Sequence, residues 1–393
     1  MRIHTVKEGE DTASIAKKYG ITERSLLLAN ELENAMPAVG EQLLIMTPTR
    51  THKVISGDTP ERLALRYGVS VKEIIKMNPW ISEGGLVPNT TIAVRCGEKR
   101  YGMAVTNGYY YSGCSAKKLI RALPYLTYVT FGAAVIERGG ARWLFDARDT
   151  VKEVSEADKI PLLRVYNRDG EENLHSREEW ERYIETLITL AKTHGYKGIV
   201  FGGHGESGEA LSEFLVEMKK NIIGSDLILF TELDKSSPAS LCECSDGSIF
   251  SYSKIGEENM PTFESGERRA YEKYATEADS IKSFIDILAL AKTESGYCDL
   301  ADALSLARNS RAEINLDEET LLCSFAHRRA GKCTFQSLES IKAILALASE
   351  YGYMGISFDI MRTPLSYLLL YNEMFGTAYH TAINSRGGCS RES

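Results

Sequence analysis

The side chains best suited to acid–base chemistry stand in a glycine-rich segment, residues 202–208. It holds His204 and Glu206 two positions apart, and Asp359 is a further carboxylate much later in the chain. An imidazole titrates near pH 6.5, and a carboxyl group can also donate a proton, so either of the first two could act as an acid. Three such scattered residues are a weak metal signature, so the prediction is no metal and no cofactor.

A second interpretation of this segment stays open. Its glycines also suit a plain tight turn, in which Glu206 and Glu209 are solvated charges near a helix N-terminus.

The elements on either side fix where the segment must lie. Residues 177–194 and 209–223 carry apolar side chains three and four positions apart, which predicts two amphipathic helices. Between them, residues 198–202 form an apolar run closed by glycines, which is typical of a buried parallel strand. In an α/β barrel the C-terminal ends of the strands carry the active site, and the segment follows directly.

Strand and helix patterns alternate through residues 99–393, which indicates an α/β fold with one (β/α)8 barrel. The predicted strands are 102–106, 128–133, 161–166, 198–202, 226–231, 248–252, 284–289 and 355–358. Residues 299–329 are too many for a simple connection, so we expect an inserted α+β piece before the last helix, 338–351.

Composition excludes several classes of protein. The 393 residues are 43% hydrophobic and 25% charged, as in ordinary globular proteins. A net charge of -8 gives no electrostatic reason to expect nucleic acid or an anionic membrane as partner, and no apolar run is long enough to span a bilayer. The first residues lack a secretory signal, and the eight cysteines include no C-x-x-C pair, so we expect reduced thiols inside a cell.

The first part of the chain is internally repeated. Nine residues recur at an offset of 48, namely His4, Val6, Gly9, Ile15, Ala16, Tyr19, Gly20, Leu27 and Asn30 in the first copy. Each copy reads as a strand, a turn, two helices and a closing strand. Gly20 and Gly68 stand where a helix C-cap needs a positive φ.

These repeats resemble the LysM module through His-x-Val, Gly57-Asp58-Thr59, Ile/Leu-Ala-x-x-Tyr-Gly and an Asn before the final Pro. The resemblance implies βααβ modules at 1–47 and 51–96 that bind peptidoglycan, chitin or another polymer containing N-acetylglucosamine. It implies a groove between the first strand–helix loop and the second helix–strand loop. The groove candidates are Gly57, Asp58, Thr59, Asn78, Pro79 and Trp80 in the second copy and Gly9, Glu10, Asp11, Thr12 and Asn30 in the first.

An alternative stays open in which Asp58 and Asn78 only make turn and cap hydrogen bonds. If both modules bind, two weak sites on one chain give avidity for a repeating polymer. Binding by the first copy is the less certain, because its turn is one residue longer.

The large domain resembles glycoside hydrolase family 18, and within it the bacterial spore-cortex N-acetylglucosaminidases that carry two LysM modules in front. The stretches that carry the resemblance are 107–110, 126–131, 161–167 and 340–358. The resemblance implies a sugar site at the barrel mouth. Strand-end residues that could contact a sugar there are Tyr109, Tyr110, Tyr166, Asn167 and Tyr252.

The chain departs from that family where its chemistry is placed. The family's fourth strand ends Asp-x-Asp-x-Glu: the Glu protonates the leaving oxygen, and the middle Asp holds the acetamido group that acts as nucleophile. The matching residues here are Val200, Gly202 and His204. The sixth strand keeps Tyr252 but has Ser253 for the family's Asp, and Asp359 replaces a Trp at the end of the eighth.

These losses predict a peptidoglycan-binding protein with an inactive barrel, associated with the spore cortex or coat, with neither nucleic acid nor membrane as partner. The alternative is an active N-acetylglucosaminidase or transglycosylase with a shifted acid, Glu206 or His204, with Asp359 as a second carboxylate. Without a signal peptide, we expect a bacterial protein in the mother-cell cytoplasm or deposited on the spore. Two carboxylic acids together at the floor of the barrel mouth would contradict the inactive interpretation, and the oligomeric state is left open.

Overall fold

The computed structural model describes residues 1–32, 36–95, 101–137, 140–167, 177–203, 208–234, 237–251, 268–277 and 280–377. The first repeat consists of β1 (Arg2–Thr5), α1 (Thr12–Tyr19), α2 (Glu23–Ala29) and β2 (Gln42–Ile45). The second consists of β3 (Arg50–Lys53), α3 (Pro60–Tyr67), α4 (Val71–Met77), α5 (Ile81–Gly84) and β4 (Thr91–Arg95). We call them module 1 and module 2.

Each module is the predicted βααβ unit, and module 2 adds the one-turn helix α5, which the repeat did not predict. In each, the first and last strands pair antiparallel. Gly20 and Gly68 end the first helices with φ of 67° and 63°, a left-handed conformation that glycine adopts without strain. Both predicted C-caps are therefore confirmed.

The strands of the large domain are β5 (Met103–Tyr110), β6 (Tyr128–Glu137), β7 (Gly140–Trp143), β8 (Ile160–Asn167), β9 (Gly198–Gly203), β10 (Ile228–Asp234), β11 (Gly247–Ser251), β12 (Ser283–Ile287), β13 (Leu290–Thr293), β14 (Gly296–Asp299), β15 (Asn315–Leu316), β16 (Leu322–His327), β17 (Gly331–Gln336), β18 (Gly355–Asp359) and β19 (Gly376–Thr377). Its helices are α6 (Ala116–Ala122), α7 (Arg148–Glu156), α8 (Arg177–Thr193), α9 (Gly208–Ile222), α10 (Arg268–Glu277), α11 (Leu300–Ser310), α12 (Leu338–Glu350) and α13 (Leu365–Met374). Short 3₁₀ turns occupy Leu123–Tyr125, Ala239–Cys244 and Ser280–Lys282.

Eight parallel strands close into a barrel in the order β5, β6, β8, β9, β10, β11, β12 and β18, with β18 pairing back onto β5. All eight predicted strands are confirmed, with shifted ends. Alternate residues of these strands fill the barrel with a buried cluster that includes Tyr128, Leu162, Val200, Phe230 and Phe284. The opposite faces pack against the surrounding helices in a second, larger core.

The insertion is larger than predicted. It forms a five-stranded antiparallel sheet, β14-β13-β17-β16-β15, with α11 between its strands, and runs from Leu290 to Gln336 rather than over 299–329. The sequence analysis missed its first hairpin because β13 starts almost directly after β12, with no helical pattern between them. The helix at 338–351 is confirmed as α12 but is not the last, since α13 follows β18.

The modules are packed firmly onto the barrel and its insertion. Glu41 of module 1 is buried and accepts two hydrogen bonds from Arg308 of α11, at 2.6 and 3.0 Å. Beside it the Ile314 N–H donates to the Val39 carbonyl at 2.8 Å, and a Cβ at Gly40 would lie 1.7 Å from the Ile314 oxygen. The insertion therefore acts as a brace for module 1.

Module 2 meets the barrel at the Tyr125 hydroxyl, which donates to the Lys76 carbonyl at 2.5 Å. In the part of the chain that the structure describes, no helix is both long and apolar enough to cross a bilayer.

Candidate functional site

The barrel mouth is centred on a carboxylate that the sequence analysis did not single out, Glu232 of β10. Arg164 of β8 donates two hydrogen bonds to it, from Nε to Oε1 at 2.6 Å and from Nη2 to Oε2 at 2.7 Å. The Tyr109 hydroxyl of β5 donates to the same Oε1 at 2.6 Å. Three strands thus hold one carboxylate in a fixed orientation.

Strand alternation places these side chains together. Phe230 lies in the barrel interior, so Glu232, two positions later, faces inward nearer the C-terminal end. The same rule brings Arg164 inward after Leu162 and Gly202 inward after Val200. The polar layer therefore lies directly above the apolar plug of the barrel.

Burial and charge reinforce this network. Burial, and then the charge of Glu232, raise the pKa of Tyr109 well above its ordinary value, so this phenol stays a hydrogen-bond donor. Burial alone would lower the pKa of Arg164, but the adjacent Glu232 reverses the effect and holds that pKa above its usual range. Arg164 therefore stays a charged guanidinium against the Glu232 carboxyl group.

Gly202 is the residue that makes room for Glu232. The register pairs Thr231 with Phe201, so Glu232 is level with Gly202 on the neighbouring strand. A Cβ at Gly202 would lie only 2.2 Å from Oε2 of Glu232, which is closer than van der Waals contact allows. The carboxylate that fills this part of the mouth therefore comes from the fifth barrel strand, while the fourth carries no side chain there.

Asp359, a predicted candidate, is engaged in local structure. Its Oδ1 accepts the backbone N–H groups of Met361 and Arg362, and its Oδ2 accepts the Arg362 Nη1 at 2.8 Å. Arg362 also bonds Asp299, at the start of α11 in the insertion. Asp359 thus closes the turn after β18 and links it to the insertion.

Other predicted barrel residues are dispersed. Val200 is fully buried in the interior plug, and Asn167 is buried at the end of β8. Tyr166 is half-buried, with its ring centre 5.4 Å from the Arg164 guanidinium, and so borders the network that contains Tyr109. His204, Glu206 and Tyr252 lie outside the described residues.

In module 2, Asp58 belongs to a partly buried polar triad. Its Oδ2 accepts hydrogen bonds from His52 Nε2 at 2.7 Å and from the Ile55 backbone at 2.8 Å, and His52 Nδ1 meets the Tyr67 hydroxyl at 2.8 Å. The bond from His52, more than any other contact, lowers the pKa of Asp58.

Module 1 repeats the triad with Glu10, which bonds His4 Nε2 at 2.8 Å while His4 Nδ1 meets the Tyr19 hydroxyl at 3.1 Å. The Lys7 backbone N–H is the main cause that lowers the pKa of Glu10 to about 2. Glu10 is therefore the structural counterpart of Asp58, 48 positions earlier, so the two turns are equally long and the expectation of a longer first turn was wrong. Asp11 instead caps α1, as Thr59 caps α3.

The two groove asparagines are also structural. The amide of Asn78, fully buried, donates to the Ile74 and Ala93 carbonyls and accepts the Ala93 N–H. Asn30 makes the same three bonds, with Leu26 and Leu44. They join the last full helix of each module to its closing strand, in agreement with the cap-and-turn alternative.

The remaining groove candidates divide by exposure. Thr12 is fully buried and donates to Glu23 at 2.5 Å, and Pro79 is buried as well. Gly9 and Gly57 adopt φ of 79° and 88° in their turns. Trp80 is half-exposed, so it keeps ring surface for a ligand.

The two modules match a known domain family. The LysM domain family matches residues 4–45 and 52–95, so the chain carries two LysM domains. The chain is 27% identical over 88 residues to membrane-bound lytic murein transglycosylase D of Escherichia coli K12, and 29% identical over 91 residues to N-acetylmuramoyl-L-alanine amidase sle1 of Staphylococcus epidermidis. These matches cover 20% and 19% of this chain and 20% and 28% of the relatives, so the chain spans less than a third of the length of either relative.

The whole chain is similar in structure to the spore cortex-lytic enzyme SleL of Bacillus megaterium QM B1551, with a TM-score of 0.74 and 19% identity over 96% of this chain and 99% of that one. The barrel is similar to a GH18 chitinase from Cycas revoluta in complex with (GlcNAc)3, with a TM-score of 0.59 and 12% identity over 70% of this chain and 100% of that one. At such identities the likeness establishes the fold: two LysM domains followed by a (β/α)8 barrel of the family 18 type.

Proposed function

We propose that this protein binds peptidoglycan, or another glycan containing N-acetylglucosamine, and that its barrel holds the glycan without cleaving it by the family 18 mechanism. The observation that carries the proposal is the arrangement of Gly202, Glu232 and Arg164. The space beside the fourth strand is filled by an arginine-bound carboxylate from the fifth.

The chemistry of that carboxylate supports binding over hydrolysis. A carboxylate that accepts both arms of a guanidinium is stabilised in its charged form, whereas protonation of a glycosidic oxygen needs a neutral acid. Glu232 is thus suited to accept N–H or O–H groups of a sugar. It is unsuited to act as the proton donor.

The modules support the same proposal from the other end of the chain. LysM domains occur here in tandem, and the relatives that share them are named for activity on the bacterial wall. Both modules are braced against the barrel, so a glycan bound to them would be held in a fixed relation to the barrel mouth. By analogy with the spore cortex-lytic SleL, we place the protein at the spore cortex or coat.

A second candidate function is glycan cleavage by a relocated acid. It is favoured by the concentration of acidic groups at the mouth, since the charges of Glu232, Asp359 and Asp286 all act on the half-buried Tyr111. Glu206 or His204 would then supply the proton, and Glu232 would orient the substrate.

One experiment separates the two. The purified chain is incubated with insoluble spore-cortex peptidoglycan, the pellet is assayed for bound protein, and the supernatant is searched for new reducing ends by mass spectrometry. We expect co-sedimentation without new ends. Turnover that Glu206→Gln abolishes and Glu209→Gln retains would overturn the non-cleaving barrel, and failure to sediment would refute glycan binding.

A further inference from the structure

A cleft of about 380 Å³ lies between the two modules. Module 1 contributes α2, with Arg24, Ser25 and Leu28, and module 2 contributes residues between Trp80 and Ile92. We call it the intermodule cleft. It shares Trp80 and the helix–strand connection of module 2 with the groove that the LysM resemblance implies, but its other wall belongs to module 1 and not to the first loop of module 2.

We propose that the intermodule cleft is one composite binding site for a peptide-bearing, anionic aminosugar glycan, and that it favours such a glycan over neutral chitin oligomers. The inference rests on the proposed glycan binding and names the place and the ligand class. Its volume is within the range of pockets that enclose a small ligand.

One wall offers apolar surface and backbone donors. Trp80 and Leu86 are half-exposed there, and Val87 is 42% exposed in a loop. The indole ring of Trp80 can pack against the C–H face of a sugar, and the hydroxyl groups of that sugar then stay free for hydrogen bonds. Among the described residues, no acceptor receives the backbone N–H of Leu86 or of Val87, so both can donate to an acetamido carbonyl.

The opposite wall supplies charge. Arg24 is exposed at the first turn of α2 and, within the described parts of the chain, takes part in no ion pair. No acidic side chain of known placement lines the cleft, so Arg24 sets its electrostatic sign. Stem peptides of peptidoglycan carry carboxylates and chitin carries none, and a guanidinium discriminates between them by charge-assisted hydrogen bonds.

The barrel fixes the width of the cleft. Glu31, at the end of α2, accepts a hydrogen bond from Arg121 at 2.7 Å and another from the Leu365 backbone at 2.9 Å. Module 2 is tied to the neighbouring Tyr125 through Lys76. Both walls are hydrogen-bonded to the barrel, which lowers the reorganisation that binding requires.

The test titrates the full-length protein by calorimetry with two soluble probes, a peptide-bearing peptidoglycan tetrasaccharide and chitotetraose. Arg24→Ala is expected to weaken the first by about tenfold and the second by less than about twofold. Val87→Asp should weaken both, because it places a charge on the sugar-binding wall. Lys17→Ala, which removes an exposed cation of module 1 outside the cleft, is the matched control and should change neither.

The outcomes separate this inference from the proposed function. Unchanged affinities in both cleft variants, with wild-type protein still sedimenting with peptidoglycan, would overturn the intermodule cleft and leave glycan binding intact. Equal weakening of both probes by Arg24→Ala would refute the charge-based preference. Wild-type protein that neither sediments nor titrates would refute both proposals.

Discussion

The polar contacts of the two LysM modules follow the sequence repeat, whereas those of the barrel mouth depart from the family motif. In the modules, equivalent residues 48 positions apart make the same bonds, as His4 with Glu10 and His52 with Asp58 do. At the mouth the strands are retained, but the charged groups stand on different strands from those of the family pattern. The repeat therefore predicts the polar contacts of the modules, whereas the family motif does not predict those of the mouth.

The largest expected effect tests the ion pair at the barrel mouth, through Arg164. Arg164→Leu leaves the largely buried Glu232 carboxylate without its guanidinium partner. We therefore expect urea denaturation to show a free energy of unfolding about 3–5 kcal/mol lower than that of the wild type. The matched control is Arg148→Leu, whose pair with Asp146 is exposed to solvent, so its loss should change stability far less. Equal effects of the two substitutions would mean that the mouth holds no preorganised pair.

The next test asks whether the family's middle acid can return. Gly202→Asp would press a second carboxylate into the space of Glu232, and we expect a loss of about 2–3 kcal/mol from overpacking and like charge. Adding Glu232→Ala should recover most of it. Gly84→Asp, where a Cβ meets open space, is the control. If Gly202→Asp alone unfolds like the wild type, Glu232 does not occupy that space.

These two positions also show how far the sequence alone could reach. Apolar runs bounded by helices predicted all eight barrel strands, because burial on both faces leaves a strong signal. The His and Asn repeats predicted the modules for a similar reason. The family motif shows which carboxylates are missing, at Val200, Gly202, His204 and Ser253, but a motif carries no information on which other strand fills the space.

The carboxylate that lies beside Gly202 belongs to a different barrel strand. Glu232 does leave a signal, as the one charged residue in the segment 228–233, but its partner Arg164 is 68 positions away. Only strand register joins the two. Docking of the modules was likewise unpredictable, because Glu41 and Arg308 are 267 positions apart.

A sharper test of the modules compares their asparagines. Asn78→Ala leaves the Ala93 N–H and its carbonyl partners unsatisfied in a fully buried site, so we expect a loss of about 2 kcal/mol. Asn30→Ala removes the same three bonds at a half-buried site and should cost about half as much. Thermal unfolding measures both, with Asn221→Ala on the exposed α9 surface as control. If either asparagine instead served mainly the glycan, its loss would lower affinity and leave the unfolding temperature unchanged.

The smallest expected effect concerns pH and the carboxylates of the two triads. Glu10 has a pKa of about 2 in the folded chain against an ordinary 4.5, so its bonds stabilise the folded state above about pH 5. That contribution declines as the pH falls from about 4.5 towards 2, because the unfolded chain takes up the proton first.

Glu10→Gln should therefore lower the unfolding temperature slightly at pH 6 and have almost no effect near pH 2, with Glu8→Gln, an exposed neighbour, unchanged throughout. The carboxylate is accessible to water, so we expect no more than about 1 kcal/mol at neutral pH. Asp58→Asn should follow the same direction, since the pKa of Asp58 is also lowered. A difference from the wild type that grows as the pH falls would have the wrong sign and would show that the triads do not hold their carboxylates in the charged form.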